Sequence, residues 1–125
     1  MERKKRILLI DDEPAFTRLM KLNLEANGRY EVQVENDGHK AVAAARVWRP
    51  DMIFLDVIMP DIDGGEVAAK LRADPGLKHT PIVFLTAVVS KNEVIERGDV
   101  IGGQTFLAKP VSVADVLSTI EKFAA

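Results

Sequence analysis

The sequence predicts an α/β fold, a doubly wound sheet of five parallel strands flanked by five helices. Short apolar runs alternate with helix-patterned segments along the chain, as repeated strand–helix units require. Three of those runs are apolar throughout, which suits strands covered on both faces. The 125 residues, 47% apolar and 29% charged, are enough for one buried core. Residues 1–125 therefore read as a single domain, without repeats, low-complexity tracts, linkers or an attached output domain.

The first run, Ile7 to Ile10, stops at Asp11. Phe16, Leu19, Met20 and Leu24 then recur at helical spacing, and Asn27-Gly28 ends that helix. Tyr30, Val32 and Val34 alternate with Glu31, Gln33 and Glu35, a second strand with a more exposed face. Met52 to Leu55 and Ile82 to Leu85 form the third and fourth strands. The intervening segments read as helical, and Pro60 and Gly64 shape the loop into the third helix. Ser90 with Glu93 starts a fourth helix, but its apolar stripe is thin and Gly98, Gly102 and Gly103 crowd its end. Glycine costs about 1 kcal/mol against alanine within a helix, so a short and mobile element is expected there. Thr105 to Leu107 is the fifth strand. Ser112 with Asp115 starts the last helix, striped by Val113, Val116, Leu117 and Ile120. Parallel strands joined in this way take right-handed crossovers.

A net charge of −2 carries no basic footprint for nucleic acid. The absence of cysteine excludes disulfides and thiolate chemistry. His39 and His79 lie far apart and read as solvated. Trp48 and Tyr30 read as partly buried surface aromatics, and Met59 as packing. No apolar run approaches the roughly 18 residues of a membrane span. The basic start, Met1 to Arg6, precedes a run too short for a signal peptide. A cytoplasmic location follows as the expectation.

In an open parallel sheet, sites form at the carboxyl ends of the strands. Strand one ends in Asp11-Asp12-Glu13, strand three at Asp56, strand four in Thr86-Ala87 and strand five in Lys109-Pro110. All four sets fall on one rim. Two carboxylates about 5 Å apart repel by around 3 kcal/mol at an effective dielectric near 20. Lys109 offsets part of that. A hard divalent ion offsets more, and Mg²⁺ suits a site of few carboxylates, several waters and a phosphoryl oxygen. Such a cluster fits phosphoryl transfer: a carboxylate attacks, a metal neutralises charge, and a lysine and a hydroxyl bind the phosphoryl oxygens. A strand-end Asp often does no more than cap the next helix. That account serves Asp12 alone, but not four strand ends that supply Asp, Asp, Thr and Lys.

Four segments carry a resemblance that spans essentially the whole chain: ILLIDDEP (Ile7 to Pro14), IFLDVIMPDIDG (Ile53 to Gly64), FLTA (Phe84 to Ala87) and FLAKP (Phe106 to Pro110). In order and spacing, the chain resembles the receiver domain of bacterial two-component response regulators, of the chemotaxis-regulator kind. The resemblance implies a flavodoxin-like sheet with strand order 2-1-3-4-5. It implies Asp56 as phosphoacceptor, Asp11, Asp12, Asp56 and the Ile58 backbone carbonyl around Mg²⁺ (or Mn²⁺), and Thr86 and Lys109 on the phosphoryl group. Thr86 and Phe106 would form the switch, and the Lys109-Pro110 bond would be cis.

The side chains two beyond Asp56 and two beyond Thr86 flank the attacking water in this family. Here they are Ile58 and Val88, which cannot orient it by hydrogen bonding, so slow self-dephosphorylation is expected. The implied partners are a sensor histidine kinase or phosphotransfer protein and a downstream target or output domain. A homodimer through the fourth helix, fifth strand and fifth helix is the implied self-association. No direct contact with nucleic acid or membrane is expected. The domain would be a regulatory phosphoacceptor, not an enzyme acting on other substrates. Ile101-Gly102-Gly103-Gln104 departs from the family's Gly-Ala-acidic segment, so partner identity does not carry over.

Other chemistries fit less well. A haloacid-dehalogenase-type phosphatase needs a second Asp two residues after its nucleophile, where this chain has Ile58. A flavodoxin-like cofactor binder needs a Ser, Thr and Gly-rich phosphate loop where this chain has Asp11-Asp12-Glu13-Pro14. A binding module of the same fold without phosphorylation lacks an acidic residue, the Thr or the Lys, and all are present here. Asp61 and Asp63 suggest an EF-hand loop, but Asp61 to Arg72 lacks its further ligands.

Overall fold

The computed structural model describes residues 3–87, 100–101 and 104–124. The elements are β1 (Lys5–Ile10), α1 (Pro14–Glu25), β2 (Tyr30–Glu35), a 3₁₀ turn (Gly38–Lys40), α2 (Ala41–Trp48) and β3 (Met52–Asp56). β4 (Ile58–Met59), β5 (Ile62–Asp63), α3 (Gly64–Ala73), β6 (Ile82–Thr86), β7 (Val100–Ile101), β8 (Gln104–Ala108) and a C-terminal helix (Val113–Phe123) follow. The main sheet runs β2-β1-β3-β6-β8-β7. Its first five strands are parallel and take the expected order. Two features go beyond the sequence reading: the short antiparallel strand β7 beside β8, and the β4–β5 hairpin after Asp56. The predicted fourth helix, with Ser90, Glu93, Gly98, Gly102 and Gly103, lies outside the described residues, as does Val88.

β1 and β3 are apolar because helices cover both faces of the sheet. Alternate residues Ile7, Leu9, Phe54 and Val83 pack against Met20 and Leu24 of α1 and Val116 and Ile120 of the C-terminal helix. The other alternation, Leu8, Ile10, Ile53 and Leu55, meets Ala41 and Ala45 of α2 and Val67 and Leu71 of α3. Each large aliphatic side chain buried this way contributes about 1.5–3 kcal/mol. The predicted capping box is present: Ser112 Oγ accepts from Asp115 N–H at 3.0 Å, and the Asp115 carboxylate accepts from Ser112 N–H. Gly28 has φ +76°, a conformation that favours glycine and ends the chain's passage out of α1.

Three side chains depart from the sequence reading. Leu19 is 61% exposed, so the inward stripe of α1 is Phe16, Thr17, Met20 and Leu24. Thr17 takes the inward place because its hydroxyl is satisfied locally, by the Glu13 and Pro14 carbonyls and by Asn36 Nδ2 at 3.0 Å. Tyr30 is buried in the core, not at the surface, because α1 and the C-terminal helix close over the start of β2.

β2 is an edge strand of the sheet, and α1 covers the outward polar groups of its Val32. Val32 N–H donates to Glu25 Oε2 at 3.0 Å, and the Val32 carbonyl accepts from Lys21 Nζ at 2.6 Å. The Lys21–Glu25 pair closes the clip at 3.2 Å. An exposed edge with unpaired amides invites pairing with another chain, and this arrangement blocks its middle. The bond from Val32 N–H holds the Glu25 carboxyl below its ordinary value. Glu25→Ala is expected to lower stability by about 1 kcal/mol in urea unfolding at neutral pH. Because the folded value is the lower one, that loss is full above the ordinary carboxylate pKa and fades as pH falls through the folded value.

Candidate functional site

Asp56 is the last residue of β3, a central strand, and is 4% exposed. The chain leaves it under tight control. Val57 N–H donates to the Leu85 carbonyl at 3.0 Å, and Gly64 N–H donates to the Val57 carbonyl at 2.8 Å. A Cβ on Gly64 would lie 2.7 Å from Val57 Cα and closer still to the Asp56 carbonyl oxygen. Only glycine therefore lets α3 begin against the backbone of Asp56. The β4–β5 turn is made by Pro60 and by Asp61 at φ +66°. Asp63 caps α3, its Oδ1 accepting from Gly65 N–H at 2.6 Å. These contacts assign Asp61 and Asp63 to the turn and the cap.

Asp11 ends β1 beside β3 and is fully buried. Its Oδ1 accepts from Glu13 N–H at 3.0 Å, and its carbonyl accepts from Asn36 Nδ2 at 2.7 Å. Lys109 arrives from β8, held by its N–H to the Thr86 carbonyl at 2.8 Å. The Lys109–Pro110 bond is cis, as the resemblance implied. Lys109 Nζ lies 2.7 Å from Asp11 Oδ2, 2.9 Å from Glu13 Oε1 and 3.6 Å from Asp56 Oδ2. It also sits 5.3 Å above the Phe16 ring.

These positions set the protonation chemistry. Burial, then the charge of Asp11, pushes the Asp56 carboxyl up to about 6, against the opposing pull of Lys109. Burial also raises Asp11, although its contact with Lys109 works the other way. For Lys109, burial disfavours the ammonium, but contacts with Asp11 and Glu13 and the charges of Asp11 and Asp56 outweigh it, so its value is raised.

Asp11, Asp12, Glu13 and Asp56 each offer an oxygen, and these oxygens lie within 4.8 Å of one another. Among the described residues, the ammonium set against these four carboxylates is that of Lys109. Asp11 Oδ2 is buried, with the Lys109 ammonium 2.7 Å away. An all-oxygen donor set with surplus negative charge fits a hard divalent cation.

The other described residues that the sequence singled out lie on β4, β6 and β8. Thr86 is buried at the end of β6. Ile58 is 59% exposed, and its N–H donates to Asp56 Oδ1 at 3.3 Å. Phe106 is half-buried and stacked on Phe84, ring centroids 5.2 Å apart, among residues that pack on the α3 face. Two residues gained no function from the sequence. Glu13 stood in the acidic string, and Phe16 in a helical stripe. Only the fold shows that both meet Lys109.

A family model described as the response regulator receiver domain matches residues 7–121. This chain is a member of the response regulator receiver domain family. Like the receiver domains it matches, it carries the CheY-like five-stranded sheet. The DNA-binding dual master transcriptional regulator RpaA of Synechocystis is 39% identical over 92% of the chain, which spans 47% of RpaA. The chain thus covers about half the length of that relative. The chemotaxis protein CheY4 of Vibrio cholerae superposes with a TM-score of 0.81 at 30% identity, covering 97% of this chain and 99% of that one. The receiver domain of the sensor histidine kinase PA1611 from Pseudomonas aeruginosa PAO1 superposes at 0.80 with 27% identity, covering 98% of each chain. That structure has a magnesium ion coordinated in its active site cleft. Among the described residues, no helix of this receiver is long and apolar enough to cross a membrane.

The burial of Asp56 yields a stability test. Its folded value near 6 is raised, so stability is lost as pH climbs from the ordinary carboxylate range and the loss is full above that value. In metal-free buffer, Asp56→Asn is expected to be more stable than the parent at pH 7.5, by on the order of 1–2 kcal/mol. The gap should narrow as pH falls from 7 to 5, followed by thermal or urea unfolding in chelator.

Proposed function

We propose that this receiver domain is a phosphorylation-dependent switch in which Asp56 accepts a phosphoryl group from a phosphohistidine or a small phosphodonor. The observation that carries the reading is the buried Asp56 carboxylate, 3.6 Å from Lys109 and within the four-carboxylate cluster. Asp11, Asp12 and Asp56, with the Ile58 carbonyl, would hold Mg²⁺. When bound, the ion supplies positive charge to offset the oxygens of the transferring group.

Asp56 attacks in line through one carboxylate oxygen. A carbonyl phosphate anhydride bond forms as the donor P–N or P–O bond breaks, and the donor leaves with that electron pair. The closing of Gly64 against Asp56 fixes the nucleophile's backbone, so its side chain approaches from one direction. Lys109 and the Thr86 hydroxyl bind phosphoryl oxygens. The movement of Thr86 toward the group leaves room for Phe106, and the changed surface alters affinity for a target. This is a shift between two states, so the phosphoryl group must bind the active one better. A sensor histidine kinase or phosphotransfer protein is the proposed donor, and the cytoplasm the proposed location.

Wild-type protein is expected to take up label from radioactive acetyl phosphate in Mg²⁺, and Asp56→Asn to take up none. Uptake by Asp56→Asn at the parental rate would sink the assignment. Self-dephosphorylation is proposed to be slow because Ile58 and Val88 offer water no hydrogen bond. The double variant Ile58→Asn, Val88→Glu is expected to shorten the phosphoryl lifetime by about tenfold or more, a typical scale for added general acid–base or water-positioning groups. An unchanged decay rate would remove this explanation.

A further inference from the structure

Lys109 has more partners than binding a phosphoryl group requires. Its ammonium is held by Asp11 at 2.7 Å, by Glu13 at 2.9 Å and by the face of Phe16 at 5.3 Å. All three come from the end of β1 and the start of α1. Held there, Nζ is 3.6 Å from Asp56 Oδ2, beyond a good hydrogen bond. Asp11 is fully buried and belongs to the cluster whatever Lys109 does. Glu13 differs: its side chain is 61% exposed, so its contact with Lys109 is the one that water can replace at little cost.

We propose that Glu13 is a positioning residue that draws Lys109 toward the β1–α1 segment and off Asp56, with Phe16 as the shelf beneath the ammonium. The proposal rests on Asp56 being the phosphoacceptor. An exposed ion pair is weak, whereas an aspartyl phosphate adds charge and three acceptor oxygens next to Lys109. The phosphoryl group therefore outcompetes Glu13, while the empty site keeps Lys109 withdrawn. The apparent affinity of the site for a phosphoryl mimic is reduced by the fraction of molecules in which Lys109 is withdrawn.

The test compares wild type, Glu13→Gln and Glu35→Gln by NMR titration with beryllofluoride in saturating Mg²⁺. Glu35 closes the neighbouring strand on the same rim, and its carboxylate bonds Asp37 N–H, so its substitution removes the same charge without touching Lys109. Glu13→Gln is expected to bind beryllofluoride about two- to fivefold more tightly, the range of an exposed ion pair, and Glu35→Gln to match wild type. In metal-free protein, the Lys109 ammonium resonance should shift and exchange faster with water in Glu13→Gln alone. Equal or weaker beryllofluoride binding by Glu13→Gln overturns the proposal. So does an equal gain in Glu35→Gln, which would assign the effect to net charge. A tenfold or greater loss of Mg²⁺ affinity in Glu13→Gln would also overturn it, by making Glu13 a metal ligand. If wild type binds no beryllofluoride and takes up no label, the phosphoacceptor reading fails. The metal-free Lys109 measurement then decides the restraint by itself, an unmoved resonance overturning it.

Discussion

Asp11 and Asp56 lie buried at the ends of adjacent strands, and Lys109, two strands further along the sheet, supplies the charge that lets them coexist. Much of the structure around them serves that balance. Ile10 pairs with Leu55, Asp56 with Leu85 and Thr86 with Ala108, so each site residue stands at the end of its own strand. A slip of one residue in any of these ladders would turn a charged side chain from the rim into an apolar layer. Continuous apolar strands fix the register, and the register places the charges.

The segments that leave the rim are constrained in turn. The β1–α1 segment is tied by Asn36 to the Asp11 carbonyl and the Thr17 hydroxyl, and it delivers Glu13 and Phe16 to Lys109. The β3–α3 segment is folded back as a hairpin so that Gly64 lies against Asp56. Pro60, Asp61 and Asp63 are there to make that reversal: one sets the turn, one adopts a left-handed conformation and one caps the helix. The acidity of Asp61 and Asp63 suggested a calcium loop, and their geometry gives them ordinary structural work.

The sheet was legible because covered strands read as unbroken apolar runs, and all five parallel strands lie where those runs predicted. The cluster of Asp11, Asp56 and Lys109 was legible for a related reason: these are polar residues that terminate apolar runs. Leu19 was misread because a helical stripe counts hydrophobicity and cannot see that Thr17 satisfies its hydroxyl within α1. β7 and the β4–β5 hairpin were missed because two-residue strands carry no period.

What the sequence by itself determined is therefore the layering and the chemistry at the rim: which runs are buried, which polar groups end them, and the family they resemble. The tertiary structure alone decided who shares Lys109. Glu13 and Lys109 are 96 residues apart, and their 2.9 Å contact exists only because parallel strands bring β1 and β8 to the same edge. Pairwise electrostatics depends on distance and burial, and neither is written in the order of residues along a chain.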